Sequence, residues 1–223
     1  IIASAITKET LKKMKEIYDI QTTLNNIEVA KTADILILAV KPNKYDLVIE
    51  EIKECIKEDS IVVGIAAGIN IKAMPNTPAM VGEGMTAVSL SKEINQKEAE
   101  EIINIFNSFG KVEIVEENLM DAVTAVSGSS PAYIYMMIEA MADAAVIEGM
   151  SRKQAYVFAS QSVLGAAKMV LDTGIHPGEL KDNVCSPKGT TIEAVATLEK
   201  NGFRHAIIEA MRICAKKSRE MAK

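Results

Sequence analysis

In the first half of the chain, hydrophobic residues form short apolar runs separated by stretches with helical spacing. Asp34 to Val40 and Ile61 to Ala66 are almost wholly apolar, and each run is followed by a break of small residues or proline. Such runs are typical of strands buried on both faces of a parallel sheet. Between them, apolar residues recur at three- and four-residue intervals, at Tyr45, Val48, Ile49, Ile52 and Ile56. The pattern predicts a strand–helix–strand unit of an open α/β sheet, which binds ligands beyond the carboxyl ends of its strands.

The same periodicities predict further elements in this half. Helices are expected over Thr7 to Ile17, with Thr7 as the N-cap, and over Ile27 to Lys31 and Gln96 to Phe106, and strands over Thr86 to Leu90 and Lys111 to Val115. Ile69 to Met74 is too short for a crossover helix and another strand, because a parallel connection needs about 10 residues or more. The first half therefore lacks part of an α/β sheet.

No G-x-G-x-x-G turn, the usual pyrophosphate-binding sequence of dinucleotide domains, occurs in the chain. Either the chain binds no dinucleotide, or the complete protein has an additional N-terminal βα unit and an additional segment near residues 68–71. We favour the second interpretation, because a parallel sheet without its first strand would expose a wide apolar edge.

From Glu117 onward the pattern is helical. Pro131 to Glu148 and Arg152 to Asp172 are apolar or small on most faces, and Ser151 precedes the second of these helices as a predicted N-cap; a last helix spans Arg204 to Met221. Helices this apolar are expected to interlock with a second subunit. We predict two domains, residues 1–116 and 117–223.

Composition excludes several classes of function. The chain has 223 residues, 48% of them hydrophobic, and a net charge of −5 with both signs interspersed. This balance argues against nucleic acid or an anionic membrane as a partner. Three widely spaced cysteines with two histidines do not predict a disulfide framework or a metal site, and they indicate a cytoplasmic protein.

The stretch His176 to Ala194 is where we expect the chemistry. Two proline–glycine breaks predict a loop that ends at a helix start, with Thr190 and Glu193 at capping-box spacing. A helix N-terminus of this kind can bind a carboxylate or phosphate. An ordinary capped helix without a ligand explains the same residues.

Three motifs resemble pyrroline-5-carboxylate reductase: MPNTPAMVGEGMTAV (Met74 to Val88), SGSSPAYIY (Ser127 to Tyr135) and LKDNVCSPKGTTIEAVATLE (Leu180 to Glu199). The resemblance implies an α/β N-terminal Rossmann-like dinucleotide-binding domain followed by an all-α C-terminal dimerisation domain. It implies the reduction of 1-pyrroline-5-carboxylate to L-proline, the last step of proline biosynthesis, with NADPH or NADH. It also implies a homodimer, with dimers often assembling into a decameric ring.

The same resemblance implies roles for individual residues. Cofactor contacts would come from the AVKP turn, the AAG turn, Glu117 and Asn183; the two turns comprise Ala39, Val40, Lys41 and Pro42, and Ala66, Ala67 and Gly68. Thr190 and Thr191 would receive the substrate carboxylate and ring nitrogen, and Ser127 would help to close the pocket. Many members have SPGGTT where this chain has Ser186 to Thr191, so Lys188 replaces a glycine.

Imine reduction needs an anchor for the carboxylate, a hydrogen-bond partner for the nitrogen and a held hydride donor, but no nucleophile. We expect N–H groups of Gly189, Thr190 and Thr191 to bind the carboxylate, and the Thr191 hydroxyl to bond the ring nitrogen as the catalytic residue. Two alternatives stay open: a β-hydroxyacid-dehydrogenase-like or other imine reductase, and a non-catalytic scaffold or sensor. In the former, Tyr133, Tyr135 and Glu139 are the nearest polar groups to a catalytic position.

Overall fold

A computed structural model of the chain describes residues 1–64 and 71–221. The Cα positions divide into two units, Ile1–Met120 and Asp121–Lys223. The first unit contains all the strands found in the described residues, and the second is helical. The predicted α/β class of the first half and the all-α class of the second are confirmed. The predicted boundary between residues 116 and 117 stays a prediction.

Two sheets lie in the first unit. Strands β1 and β2 form a two-stranded parallel sheet, and β3 to β7 form a five-stranded sheet in chain order. Neighbouring strands of the larger sheet are parallel except β5 and β6, which pair antiparallel. The strand bounds are Ile2–Ser4 for β1, Gln21–Thr23 for β2, Ile35–Ile37 for β3, Ile61–Gly64 for β4, Ile71–Met74 for β5, Gly84–Leu90 for β6 and Gly110–Ile114 for β7.

Among the described residues, four α-helices lie between these strands. They are α1 (Lys8–Tyr18), α2 (Asn26–Thr32), α3 (Tyr45–Ile52) and α4 (Gln96–Asn107). The hydroxyl of Thr7 accepts a hydrogen bond from Thr10 N at 3.2 Å, so the predicted N-cap of α1 is confirmed. Asn95 and Glu98 form a reciprocal capping box at the start of α4.

The apolar runs build two hydrophobic clusters. One packs α4 onto the middle of the five-stranded sheet, with Val63, Ile71, Val88 and Ile102 at most 1% exposed. The other packs α2 and α3 against β3 and contains Ala30, Leu36, Leu38, Tyr45 and Ile52. The strand sequences are apolar because their side chains are buried against the helices that pack on the sheet.

Several strand predictions need correction. Strand β3 covers Ile35–Ile37 rather than Asp34 to Val40, because the chain turns after Leu38. Strand β5, Ile71–Met74, was not expected. The stretch is too short for a complete crossover, but four residues are enough for a strand, and its alternate side chains, Ile71 and Ala73, are buried. The AAG turn, Ala66 to Gly68, and most of the expected additional segment lie outside the described residues.

The second unit consists of helices. They are α5 (Met120–Val123, which begins at the last residue of the first unit), a π-helical segment (Thr124–Gly128), α6 (Ser130–Ile147), α7 (Arg152–Thr173), α8 (Pro177–Asn183), α9 (Thr190–Lys200) and α10 (Phe203–Met221). The predicted helices after Pro131, Ser151 and Arg204 are confirmed within a residue or two. The Ser151 hydroxyl accepts from Gln154 N, so this predicted N-cap is also confirmed.

The stretch His176 to Ala194 is more ordered than the expected loop. Residues Pro177–Asn183 form α8, and the imidazole of His176 caps it by accepting a hydrogen bond from Gly178 N at 3.1 Å. Proline suits the first helical turn, because it has no N–H to leave unpaired there. The loop proper is therefore only Val184 to Gly189.

Candidate active site

The predicted AVKP turn lies at the carboxyl end of β3. Its position is fixed by Tyr45, which begins α3, is 3% exposed and donates its hydroxyl to the carbonyl oxygen of Leu38 at 2.6 Å. This bond spans the turn and joins the end of the strand to the start of the following helix. Ala39 and Lys41 are exposed, so the turn presents a small side chain and an ammonium group at this edge of the sheet.

Because β3, β4 and β5 run parallel, their carboxyl ends lie along one edge of the sheet. The register is held near this edge by Leu38 N, which donates to Val63 O at 2.8 Å. An edge of this kind is where α/β sheets bind dinucleotides against main chain and small side chains. The turn at Ala39 could let a dinucleotide approach the main chain, because the alanine side chain is too small to cover the backbone.

Glu117 follows β7 and forms an ion pair with Lys72 of β5. The Lys72 side chain is 17% exposed, whereas that of Glu117 is 64% exposed. A partly buried lysine needs a counter-ion, and Glu117 supplies it. Lys72 was not predicted from the sequence, although a lysine between Ile71 and Ala73 is unusual in an otherwise apolar stretch. The predicted cofactor residue Glu117 thus also has a structural partner within the first unit.

The segment MPNTPA between β5 and β6 is a structured connection. Asn76 precedes a 3₁₀ turn, Thr77–Val81, and its side-chain oxygen accepts a hydrogen bond from Met85 N at 2.8 Å. Gly82 ends the turn with φ of +77°, a conformation that glycine adopts without steric cost. The antiparallel pairing of β5 and β6 depends on this connection.

In the second unit, Ser127 lies in the π-helical segment. Ser129 N donates to Thr124 O at 2.8 Å, which is the five-residue spacing of a π-helix, and Ser127 Oγ donates to Val123 O at 3.1 Å. Short π-helical segments are rare and frequently occur at functional sites. This segment was not predicted from the sequence. A π-helix has no distinctive residue pattern, so only the Ser-Gly-Ser-Ser break marked it.

The loop before α9 ends in a tight turn from Ser186 to Gly189. Gly189 N donates to Ser186 O at 3.0 Å, Pro187 is the second residue of the turn, and Lys188 is the third, with φ of +57°. Proline followed by a residue of positive φ is typical of a type II turn. Lys188 therefore adopts the backbone conformation that a glycine would favour.

The start of α9 differs from the prediction in two respects. The N-cap is Gly189, and Thr190 is the first helical residue, so Thr190 and Glu193 do not form the expected capping box. The N–H of Gly189 is used within the turn and is not available to a carboxylate. A Cβ on Gly189 would lie 2.3 Å from Ser186 Oγ, which explains why this position is a glycine.

Thr190 is exposed and Thr191 half-buried in the first turn of α9. Among the described residues, no side chain caps this helix start. Such N–H groups and the positive end of the helix dipole attract anions. Asn183 ends α8 and is exposed. The structure thus brings Asn183 and the Gly189–Thr191 turn to the two ends of one short loop.

Tyr133 and Lys181 are among the groups of this unit whose pKa is raised by their surroundings. Burial and a hydrogen bond with Cys214 raise the pKa of Tyr133, which lies in the first turn of α6. A hydrogen bond with Asp182 raises the pKa of Lys181. Lys181 is thereby held as a cation next to the α8–α9 loop.

Both units are similar to known protein families. A sequence model for pyrroline-5-carboxylate reductase dimerisation matches residues 117–221, and one for NADP oxidoreductase, coenzyme F420-dependent, matches residues 1–68. Pyrroline-5-carboxylate reductase of Escherichia coli (strain K12) is 52% identical over 210 residues, 88% of this chain and 78% of that protein. The chain belongs to the pyrroline-5-carboxylate reductase family.

Other members of the family are similar over almost the whole chain. The pyrroline-5-carboxylate reductase of Methanosarcina acetivorans is 41% identical, covering 99% of this chain and 87% of that protein. The structure of the Coxiella burnetii reductase has a TM-score of 0.90 and 31% identity, covering 100% of this chain and 88% of that one. The Plasmodium falciparum reductase with NADP bound has a TM-score of 0.87 and 30% identity, covering 100% and 87%.

Proposed function

We propose that this chain reduces the C=N bond of 1-pyrroline-5-carboxylate to give L-proline, with NADPH or NADH as the hydride donor. The observation that carries the proposal is the 52% identity to a reductase of that name over 88% of the chain. Family membership decides against the two alternatives, a β-hydroxyacid-dehydrogenase-like enzyme and a non-catalytic scaffold. The NADP-bound relative and the oxidoreductase match over residues 1–68 support a nicotinamide cofactor.

For the cofactor, we assign the carboxyl edge of the five-stranded sheet. Ala39, Val40, Lys41 and Pro42 would hold it, with Glu117 as a further contact. The proposed contacts of Ala66, Ala67 and Gly68 lie outside the described residues. The cofactor, when bound, supplies a hydride to the imine carbon. The hydrogen bond from Tyr45 to Leu38 spans the AVKP turn and would hold this edge of the sheet in place for the cofactor.

For the substrate carboxylate, we assign the first turn of α9. The N–H groups of Thr190 and Thr191 point along the helix axis and carry the partial positive charge of the helix start. Gly189 shapes the turn rather than donating, since its N–H bonds to Ser186 O. Binding the carboxylate here would orient the ring of the imino acid.

For the ring nitrogen, we assign the hydroxyl of Thr191 as the catalytic group. A cyclic imine is basic enough to arrive partly protonated, so the protein needs to position it and to complement its charge. A hydroxyl can accept from the protonated imine and donate to the amine product. Ser127, in the π-helical segment, would close the pocket with the adjoining loop.

Replacing Thr191 by Ala tests this assignment. We expect kcat/KM for 1-pyrroline-5-carboxylate to fall by about tenfold to hundredfold, the effect of losing one hydrogen bond to a charged group. Thr191→Ser, which keeps the hydroxyl, is the matched control and should retain most of the activity. Both variants should melt close to the unmodified protein. Unchanged kcat and KM in Thr191→Ala would remove this residue from the mechanism.

The substrate class has a direct test as well. Oxidation of NADPH and NADH by the complete protein would be followed with the cyclic imine and, separately, with open-chain keto and hydroxy acids. We expect turnover with the cyclic imine. Turnover only with an open-chain acid would favour the β-hydroxyacid-dehydrogenase-like alternative, and no turnover with any of them would favour the scaffold.

We further propose a homodimer formed by interlocked helical domains, with dimers arranged in a decameric ring, in the cytoplasm. The match to a dimerisation domain over residues 117–221 supports the dimer. The three free cysteines, Cys55, Cys185 and Cys214, support a reducing compartment. Within residues 1–64 and 71–221, none of the helices has the length and apolar character needed to span a membrane.

A further inference from the structure

The last helix, α10, is bonded to both ends of the π-helical segment Thr124–Gly128. Before the segment, Ser218 Oγ donates to Asp121 Oδ1 at 2.6 Å. After it, Cys214 Sγ donates to Ser129 Oγ at 3.2 Å. These bonds join residues 97 and 85 positions apart in sequence, and they are side-chain to side-chain bonds in partly buried surroundings. The segment that carries Ser127 is thus anchored by a helix remote in sequence.

The two residues that anchor the segment lie on one face of α10. Cys214 and Ser218 are four residues apart, so they lie on the same face of the helix, one turn from each other. The hydroxyl–carboxylate bond is the stronger of the two, because its acceptor carries a charge. Between the two anchored ends, Ala125 is 3% exposed, so the segment also packs into the unit.

The environment of the Cys214 bond is partly dehydrated. Burial is the largest cause of the raised pKa of Tyr133, and the hydrogen bond between Tyr133 and Cys214 adds to it. Tyr133 and Ser129 both belong to the start of α6. Cys214 thus bonds Ser129, the residue between the π-helical segment and α6.

A π-helical turn is less favourable than the α-helical one it replaces, so it persists where surrounding contacts hold it. We propose that Cys214 and Ser218 are positioning residues: their bonds to Ser129 and Asp121 hold Thr124–Gly128 in its π-helical form and thereby place Ser127 against the imino acid. This inference rests on the proposed function, because it takes from it the contact between Ser127 and the substrate.

The test compares Cys214→Ala, Ser218→Ala and the double variant in the complete protein. In the double variant we expect faster amide hydrogen exchange across residues 124–129. We also expect its KM for 1-pyrroline-5-carboxylate to rise about fivefold or more. Its kcat and its KM for NADPH should stay within about twofold of those of the unmodified protein. Cys214→Ser and Ser218→Thr each keep a hydrogen-bond donor at the same position, so both readings should stay close to those of the unmodified protein. Lys217→Ala, an exposed neighbour on α10, should change neither.

Ser127→Ala is measured alongside to separate this inference from the proposed function. A raised KM in Ser127→Ala with an unchanged KM in the double variant overturns the positioning role alone, whether or not exchange is faster. An unchanged KM in Ser127→Ala removes Ser127 from the proposed pocket and the positioning role with it. A lower melting temperature with unchanged KM shows that the two bonds only stabilise the fold, which also overturns the inference.

Discussion

Lys188 has a backbone conformation that its side chain disfavours. Its φ of +57° places the Cβ close to the backbone, a cost of about 1–2 kcal/mol for residues other than glycine. The turn from Ser186 to Gly189 requires that conformation at its third position, and Gly189 must stay small beside Ser186. The chain therefore keeps strain in the loop that leads to the proposed carboxylate site.

Replacing Lys188 by Gly should stabilise the protein. We expect the free energy of unfolding to rise by about 1 kcal/mol, since the left-handed strain is released while glycine's greater freedom in the unfolded state offsets part of the gain. Denaturant unfolding measures the change. Lys188→Ala removes the ammonium group but keeps the Cβ, so it should leave stability within about 0.5 kcal/mol. Equal stabilisation by Ala and Gly would attribute the effect to charge instead.

Of the three helix caps predicted from the sequence, two agree with the structure. Thr7 and Ser151 cap their helices as expected, because each directly precedes an amphipathic or apolar helix. Thr190 does not, although its spacing to Glu193 is the same as in a capping box. The turn at Pro187 and Lys188 makes Gly189 the N-cap, one residue earlier than predicted. Such a turn is set by backbone dihedral angles, which the spacing between Thr190 and Glu193 does not reveal.

At the scale of elements, the turn after β3 depends on one buried hydroxyl. Tyr45→Phe would leave the carbonyl of Leu38 without the donor that lies 2.6 Å away. We expect a loss of about 0.5–1.5 kcal/mol in the free energy of unfolding, the net contribution of one hydrogen bond. Because this bond spans the AVKP turn, the KM for the nicotinamide cofactor should also rise, by several-fold, with the KM for the imino acid less affected.

The matched control is Tyr18→Phe, at the end of α1, where the ring is 62% exposed. This variant makes the same chemical change in a solvated position and should alter neither stability nor the cofactor KM. If Tyr45→Phe is as stable as the unmodified protein, the bond to Leu38 contributes nothing measurable to the turn. Urea unfolding and steady-state kinetics on the same preparations give both measurements.

Periodicity predicted the elements that bury an apolar face and missed those defined by hydrogen bonding. The helices α4, α6 and α7 and the strands β6 and β7 lie within a few residues of their predictions. Strand β5 was missed because four residues are too few to establish a period, and the π-helical segment because it differs from an α-helix only in its bonding. The ion pair between Lys72 and Glu117 could not be predicted, since it joins residues 45 positions apart.

At the scale of the whole molecule, the two units have different kinds of surface. The first unit buries its large aliphatic residues between sheet and helices. In the second unit the residues buried in α6 and α7 are Ala142, Ala155 and Ala159. Around Ala155 and Ala159, the three successive side chains of Tyr156, Val157 and Phe158 are 40%, 63% and 62% exposed. The sequence predicts an apolar α7, and its exposed apolar side chains are those that a second subunit would cover in the proposed dimer.

Phe158→Asp should therefore weaken the proposed dimer. Burying a phenylalanine contributes about 1.5–3 kcal/mol, and a carboxylate placed in the same interface adds a desolvation cost, so the dimer dissociation constant should rise by about 100-fold or more. Sedimentation equilibrium measures it directly. Lys153→Asp puts the same side chain on an exposed first-turn position of α7, where an acidic residue suits the helix dipole, and should leave the dimer intact. Circular dichroism would show that Phe158→Asp still folds. If its dimer is as stable as that of the unmodified protein, the subunit contact lies on another face of the helical unit.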